Sequence, residues 1–229
     1  MNINLLLKKK FEGKKIALIG PSDYVTKELD ENHGKYIDSH DVVIRLNNMI
    51  YIPDKELEEK YYGTKYDIIA SAFWHINNMG SNVDQWKHKR YLDIKSYQNL
   101  KKGTILYECY ARNLFETIYQ KFKDEIDPKE IKYGNSSVEF YQETLQLLNQ
   151  ISPVNRTPTT GMMMIAMILL CKPRKLYISG ITCYLDLKHN AYYDSYFISN
   201  YIEKKKDYFD GKTFDYSKEL ASHHPYQAE

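Results

Sequence analysis

The run TPTTGMMMIAMILLC, residues 157–171, constrains the fold more than any other stretch of this chain. Wound as a helix, Met162 to Leu170 is apolar on every side, and such a helix has to be buried. Thr159 or Thr160 is a good N-cap for it, because a hydroxyl there accepts an orphan backbone N–H. Pro173 stops the helix, and the strand-like run Leu176–Ser179 follows at once. Similar strand-like runs recur at Ile16–Ile19, Val42–Arg45, Ile68–Ala72 and Thr104–Tyr107. Between them, residues 111–124 and 137–150 carry apolar positions at helical spacing. Short strands alternating with helices predict an α/β fold, a mainly parallel sheet flanked by helices.

At 229 residues the chain fits a single domain, 1–229. The charged stretch 203–212 (EKKKDYFDGK) suggests an exposed loop or part of a mobile lid over 185–222. A formal net charge of +2 is too balanced for nucleic acid to be the main partner. The 22 tyrosines suit sugar faces, or reflect an AT-rich genome. Cys109, Cys171 and Cys183 have no metal spacing and leave one unpaired, which argues for a reducing compartment. The start, MNINLLLKKKFEGKK, fits neither a signal peptide nor a membrane span. The expectation is a cytoplasmic protein, unless a targeting segment has been lost.

Parallel sheets bind ligands at the carboxyl ends of their strands. That singles out the turn Gly20-Pro21-Ser22 after the first run and Ser179-Gly180 after the last. Neither fits G-x-G-x-x-G, so a dinucleotide fold is not supported, and each also reads as an ordinary turn. Gly161 leaves the first turn of the buried helix open, and such an N-terminus is placed to bind an anion; a plain core helix is the alternative. In IDSHDVVIRLNN, residues 37–48, Arg45 and Asn47 alternate with Leu46 and share a side. Asn47 can hydrogen-bond a nucleotide or sugar, or close a turn.

Together these stretches resemble glycosyltransferase family 29, the eukaryotic-type sialyltransferases. The family's large motif is similar to IALIGPSDYV followed by IDSHDVVIRLNN, and its small motif to PTTGMMMIAMILLCKPRKLYISG. Its third motif is similar to AYYD (Ala191–Asp194), and its last, H-x-x-x-x-E, to HPYQAE (His224–Glu229). The resemblance implies a variant, Rossmann-like GT-A fold, a CMP-activated sialic acid donor, a glycan acceptor, inversion, and neither metal nor cofactor. By position, Asn47 and Ser22 would contact the nucleotide, with the turn glycines Gly20 and Gly180 beside them. Thr159, Thr160 and Gly161 would hold the CMP, Tyr193 would sit near its phosphate, and His224 would be the general base. Tyr192 and His189 are further candidates for phosphate or acceptor contact.

The chain departs from the family pattern in places. Pro21 stands where the family has Asn, and Ala191 where it has His or Tyr. Ile16 replaces one cysteine of the family's disulfide while Cys171 remains, which fits a reducing compartment. The family continues past the final motif, which implies a truncated or unusually short chain.

The chemistry agrees with the resemblance. Histidine's unperturbed pKa of about 6.5 suits a base near neutrality. CMP leaves with less charge than a diphosphate, so helix N–H groups and tyrosine hydroxyls can meet that charge without Mg²⁺. The chain has no Asp-x-Asp pair. His223-His224 could otherwise bind a metal or lie in a surface loop, though no further ligand stands at a usual spacing. Two alternatives stay open: a Kdo transferase using CMP-Kdo, and a CMP-binding protein that no longer catalyses.

Overall fold

The computed structural model describes residues 3–21, 32–50, 52, 54–71, 100–111, 131–150, 158–181 and 207–210. Within them the chain forms α1 (Ile3–Phe11), β1 (Lys15–Ile19), α2 (His33–Asp38) and β2 (Val42–Leu46). A 3-10 turn (Asn47–Ile50), a short helical turn (Lys55–Leu57) and a π-helical turn (Glu58–Tyr62) lead to β3 (Ile68–Ser71). Then come β4 (Ile105–Glu108), β5 (Lys132–Asn135), α3 (Val138–Asn149), α4 (Thr160–Leu170) and β6 (Lys175–Ser179).

The strands form one six-stranded sheet in the order β5-β4-β3-β2-β1-β6. Every neighbouring pair is parallel. The α/β class and the parallel sheet flanked by helices, both expected from the sequence, are thus observed. The chain steps outward from β1 to β5, then returns to lay β6 on the other side of β1. The sheet therefore reverses its winding between β1 and β6.

Both faces are covered, which is why most of the strands read as largely apolar runs rather than alternating ones. On one face Ile16, Leu18, Ile44, Ile68 and Ile178 pack under α1, α3 and the whole of α4. Every residue of α4 from Gly161 to Leu169 is buried, as its all-round apolarity requires. On the other face Ala17, Ile19, Val43 and Tyr177 pack against Ile37 of α2, Met49, Ile52 and Tyr62. Full burial of one such aliphatic side chain contributes roughly 1.5–3 kcal/mol.

The DSHD block holds the fold together. Asp38 accepts from the backbone N–H groups of Thr64 and Lys65, each at 2.9 Å. His40 Nδ1 donates to Tyr36 O at 2.9 Å. Asp41 accepts from Lys15 N at 2.8 Å, which ties the start of β1 to the turn before β2.

Several expectations need correction. β5 has the sequence Lys-Tyr-Gly-Asn, which carries no strand signal, yet it completes the sheet edge beside β4. Gly134 is required there because a Cβ would fall 2.7 Å from Ile3 of α1. The amino-terminal leucines belong to α1, which buries Ile3, Leu7 and Phe11 along one stripe. The stretch 203–212 is not simply an exposed loop. Its described part, 207–210, docks on β6: Phe209 is buried and forms a parallel bridge with Leu176. The helix expected over 111–124, apart from Ala111, and the rest of the 185–222 lid lie outside the described residues.

Candidate functional site

The carboxyl ends of β1 and β6 are interlocked. Gly20 N donates to Ser179 O at 2.8 Å. Gly180 adopts a left-handed φ of 68°, and a Cβ placed on it would sit 2.2 Å from Gly20 O. A Cβ on Gly20 would meet Gly180 O at 2.3 Å. No side chain fits at either position, so the two strands leave the sheet with bare backbone at the winding reversal.

The amino terminus of α4 is brought to the same place. Thr159, not Thr160, is the N-cap; its ψ of 161° is extended, and its hydroxyl accepts from Met162 N at 3.4 Å. Met163 N donates to Thr159 O at 3.0 Å, the first bond of the helix. Helical geometry leaves the N–H groups of Thr160 and Gly161 without an intrahelical acceptor. Gly161 is buried rather than open on its side-chain face. A Cβ there would lie 3.2 Å from Ile181 and 3.7 Å from Leu46. The glycine lets the helix terminus sit down between the ends of β6 and β2. Tyr110, just beyond β4, steadies this terminus by donating to Pro158 O at 2.7 Å.

Asn47 lies at the end of β2, one residue past Leu46. It takes a left-handed φ of 51° and opens the 3-10 turn, so the turn-forming alternative is realised. Asparagine tolerates that region better than most residues. Ser71, at the end of β3 and fully buried, donates its hydroxyl to Asn47 Oδ1 at 3.1 Å.

Arg45 is not a site residue. It is fully buried, and its guanidinium donates to Glu58 at 2.8 Å, to Met49 O at 3.2 Å and to Gly63 O. Glu58 is pulled up by its burial, but hydrogen bonds from Lys55 and Arg45 outweigh that and hold it below the usual carboxylate range. This network braces the turn that carries Asn47.

The structure therefore gathers Gly20, Asn47, Thr159, Thr160, Gly161 and Gly180 along one edge of the sheet. Ser22, His189, Tyr192, Tyr193 and His224 lie outside the described residues. Ser71 and Tyr110 are additions that sequence reasoning missed. Ser71 had a signal, a polar residue closing an otherwise apolar buried strand; Tyr110 had none. Among the described residues, no three His, Cys, Asp or Glu side chains are grouped to hold a metal ion. Cys109 and Cys171 are both buried, and burial pushes the Cys171 thiol up to about 12. No described helix is long and apolar enough to cross a membrane.

A parallel sheet that reverses its winding, with glycines and a capped helix terminus at the reversal, defines an open α/β protein, a class in which ligands bind outside the carboxyl ends of the strands. The sequence matches the model of glycosyltransferase family 29 (sialyltransferase) over residues 17–221, and the chain belongs to that family. It is a glycosyltransferase that uses a CMP-sugar donor and a glycan acceptor. No curated protein matches it. Among solved structures it is similar to the sialyltransferase CstII of Campylobacter jejuni in complex with the substrate analogue CMP-3FNeuAc. That likeness has 15% identity and a TM-score of 0.38, covering 91% of this chain and 75% of that one. A point mutant of the alpha-2,3/8-sialyltransferase CstII is similar at 15% identity and a TM-score of 0.38, covering 91% and 77%. The family assignment rests on the family match and not on these likenesses.

Proposed function

We propose that the chain transfers sialic acid from CMP-sialic acid to a glycan hydroxyl with inversion and without a metal ion. The observation that carries this reading is the Thr159-capped terminus of α4, seated by Gly161 beside the Gly20–Gly180 interlock. A buried helix terminus offers N–H groups and a partial positive charge to an anion. Thr160 and Gly161 N–H groups would meet the CMP phosphate, and Asn47 would hydrogen-bond the nucleotide or sugar from the β2 end. The bare backbone of Gly20 and Gly180 would let the donor lie close over the strand ends.

In the reaction, His224 takes the proton of the acceptor hydroxyl. The hydroxyl oxygen attacks the anomeric carbon as the bond to the phosphate oxygen breaks, and CMP keeps the electron pair. One displacement through an oxocarbenium-like transition state inverts the configuration. Charge developing on the leaving phosphate is met by the helix N–H groups and by Tyr193, which replaces a metal's role electrostatically. His224, Ser22 and Tyr193 enter from the motif resemblance.

The test is release of CMP from CMP-sialic acid in EDTA, with a panel of galactosides and CMP-Kdo alongside. Turnover of CMP-sialic acid, with inversion seen by NMR, supports the proposal. His224→Ala is expected to lower kcat by roughly 10²–10⁴-fold. Turnover of CMP-Kdo alone would reassign the sugar. Loss of activity in EDTA would overturn the metal-free mechanism. Saturable CMP binding without any transfer would leave a binding protein.

A further inference from the structure

We infer that Ser71 is a positioning residue that sets the amide of Asn47, so that this end of the site recognises a hydrogen-bond acceptor on the donor. The inference rests on the donor site proposed above and specifies the chemistry of one corner of it.

Asn47 stands where the chain leaves β2 in a left-handed turn. An amide there can present its oxygen or its NH2 to a ligand, and the two ends select opposite partners. The hydroxyl of Ser71 donates to Asn47 Oδ1 at 3.1 Å. That engages the oxygen and assigns the opposite end, Nδ2 with its two N–H groups, to the ligand. The complementary group is an acceptor: a phosphate, carboxylate or carbonyl oxygen of a CMP-activated acidic sugar.

Ser71 is built to do this rigidly. It is fully buried at the last position of β3, in register with Glu108 of β4. Its carbonyl accepts from Cys109 N at 3.4 Å, so its backbone is held from the far side. Asn47 is braced independently, because Arg45 donates to Met49 O within the same turn. Ser71 thus fixes the orientation of the amide, while the Arg45–Glu58 network fixes its location.

The experiment is a double-mutant cycle on CMP affinity, measured by titration calorimetry on the full chain, with thermal unfolding of each variant. The variants are Ser71→Ala, Ser71→Thr, Asn47→Gly and the Ser71→Ala/Asn47→Gly double. Glycine is chosen at 47 because it accepts the left-handed backbone. Ser71→Ala is expected to weaken CMP binding roughly 5- to 10-fold, the worth of one well-placed hydrogen bond. Ser71→Thr retains the hydroxyl and is expected to restore most of it. In the Asn47→Gly background, Ser71→Ala is expected to change nothing further, a coupling that general destabilisation would not produce. If Asn47→Gly weakens CMP binding and Ser71→Ala does not, the positioning role is overturned while the donor site stands. Equal losses in both backgrounds overturn it as well. If the unmodified chain does not bind CMP, the donor site falls, and this inference with it.

Discussion

Gly20 and Gly180 meet backbone to backbone at the winding reversal of the sheet. A Cβ on either would come within 2.3 Å of the other's carbonyl oxygen. No side chain can relax such a contact, because both partners are main chain. Gly20→Ala is expected to cost about 1–3 kcal/mol, the range for overpacking. Gly180→Ala adds a left-handed φ, worth about 1–2 kcal/mol more. Gly13 is the control: its φ is 64°, but nothing lies within 4 Å of a Cβ there. Thermal unfolding should rank the variants Gly180→Ala, Gly20→Ala, Gly13→Ala in decreasing loss. Equal losses at Gly180 and Gly13 would mean that the interlock does not exist.

At Thr159, helix stability and anion binding are expected to respond in opposite senses. Thr159→Ala removes the cap to Met162 N and should cost about 1 kcal/mol. Thr159→Asp keeps a capping oxygen and adds a negative charge at the positive end of α4, so stability is held or raised. The same charge faces the proposed phosphate site, and CMP affinity should fall. Tm and CMP affinity falling together in the Asp variant would argue that Thr159 only shapes the helix.

The buried pair Arg45–Glu58 predicts a large loss when one partner is removed. Arg45 is fully buried, and Glu58 lies 2.8 Å away. Glu58→Ala leaves the guanidinium charge uncompensated, at a cost of about 3–5 kcal/mol. Replacing both by apolar residues, as in Arg45→Met/Glu58→Leu, should recover much of that stability. Urea denaturation of the parent and these two variants measures the difference, and a double variant no better than Glu58→Ala would contradict this account. Donor affinity should not recover in the double variant, because the turn carrying Asn47 loses its bond from Arg45.

His40 makes stability pH-dependent. Burial is the largest influence and holds its pKa below the usual 6.5, against its backbone hydrogen bonds to Tyr36 and Ile37. A depressed pKa means that the unfolded chain binds the proton more readily than the folded one. Stability is therefore full above about pH 6.5 and falls as pH drops towards the folded pKa. The carboxylates Asp41 and Glu58 are also depressed, but from ordinary values of 3.8 and 4.5, so their losses come at lower pH. His40→Asn preserves a donor to Tyr36 O without the titration. Tm between pH 7.5 and 5 should decline less in that variant than in the parent, and parallel curves would remove His40 as the cause.

Much of the fold was legible because its signals are local. The runs at 16–19, 42–45 and 176–179, apolar up to a polar last residue in the latter two, lie within β1, β2 and β6, since a strand buried on both faces is apolar on both sides. The all-round apolarity of α4 announced its burial, and the sequence narrowed its cap to two threonines. The α1 stripe Ile3, Leu7, Phe11 was also present at helical spacing, but a chain start rich in leucine and lysine draws attention to targeting instead. β5 was not legible: Lys-Tyr-Gly-Asn is a strand only because β4 and Ile3 are beside it.

The α/β class, the buried helix and the family motifs could be read along the chain, because hydrophobic periodicity and capping act between residues a few positions apart. How those residues are held depends on their tertiary neighbours. Arg45 and Asn47 stand two apart in one motif, yet Arg45 donates to Glu58 while Asn47 Oδ1 accepts from Ser71. Gly20 and Gly180 read as two separate turns until the chain's return laid β6 against β1. Such roles depend on which strands become neighbours. That choice is made by burial summed over the whole sheet and is not written at any single position.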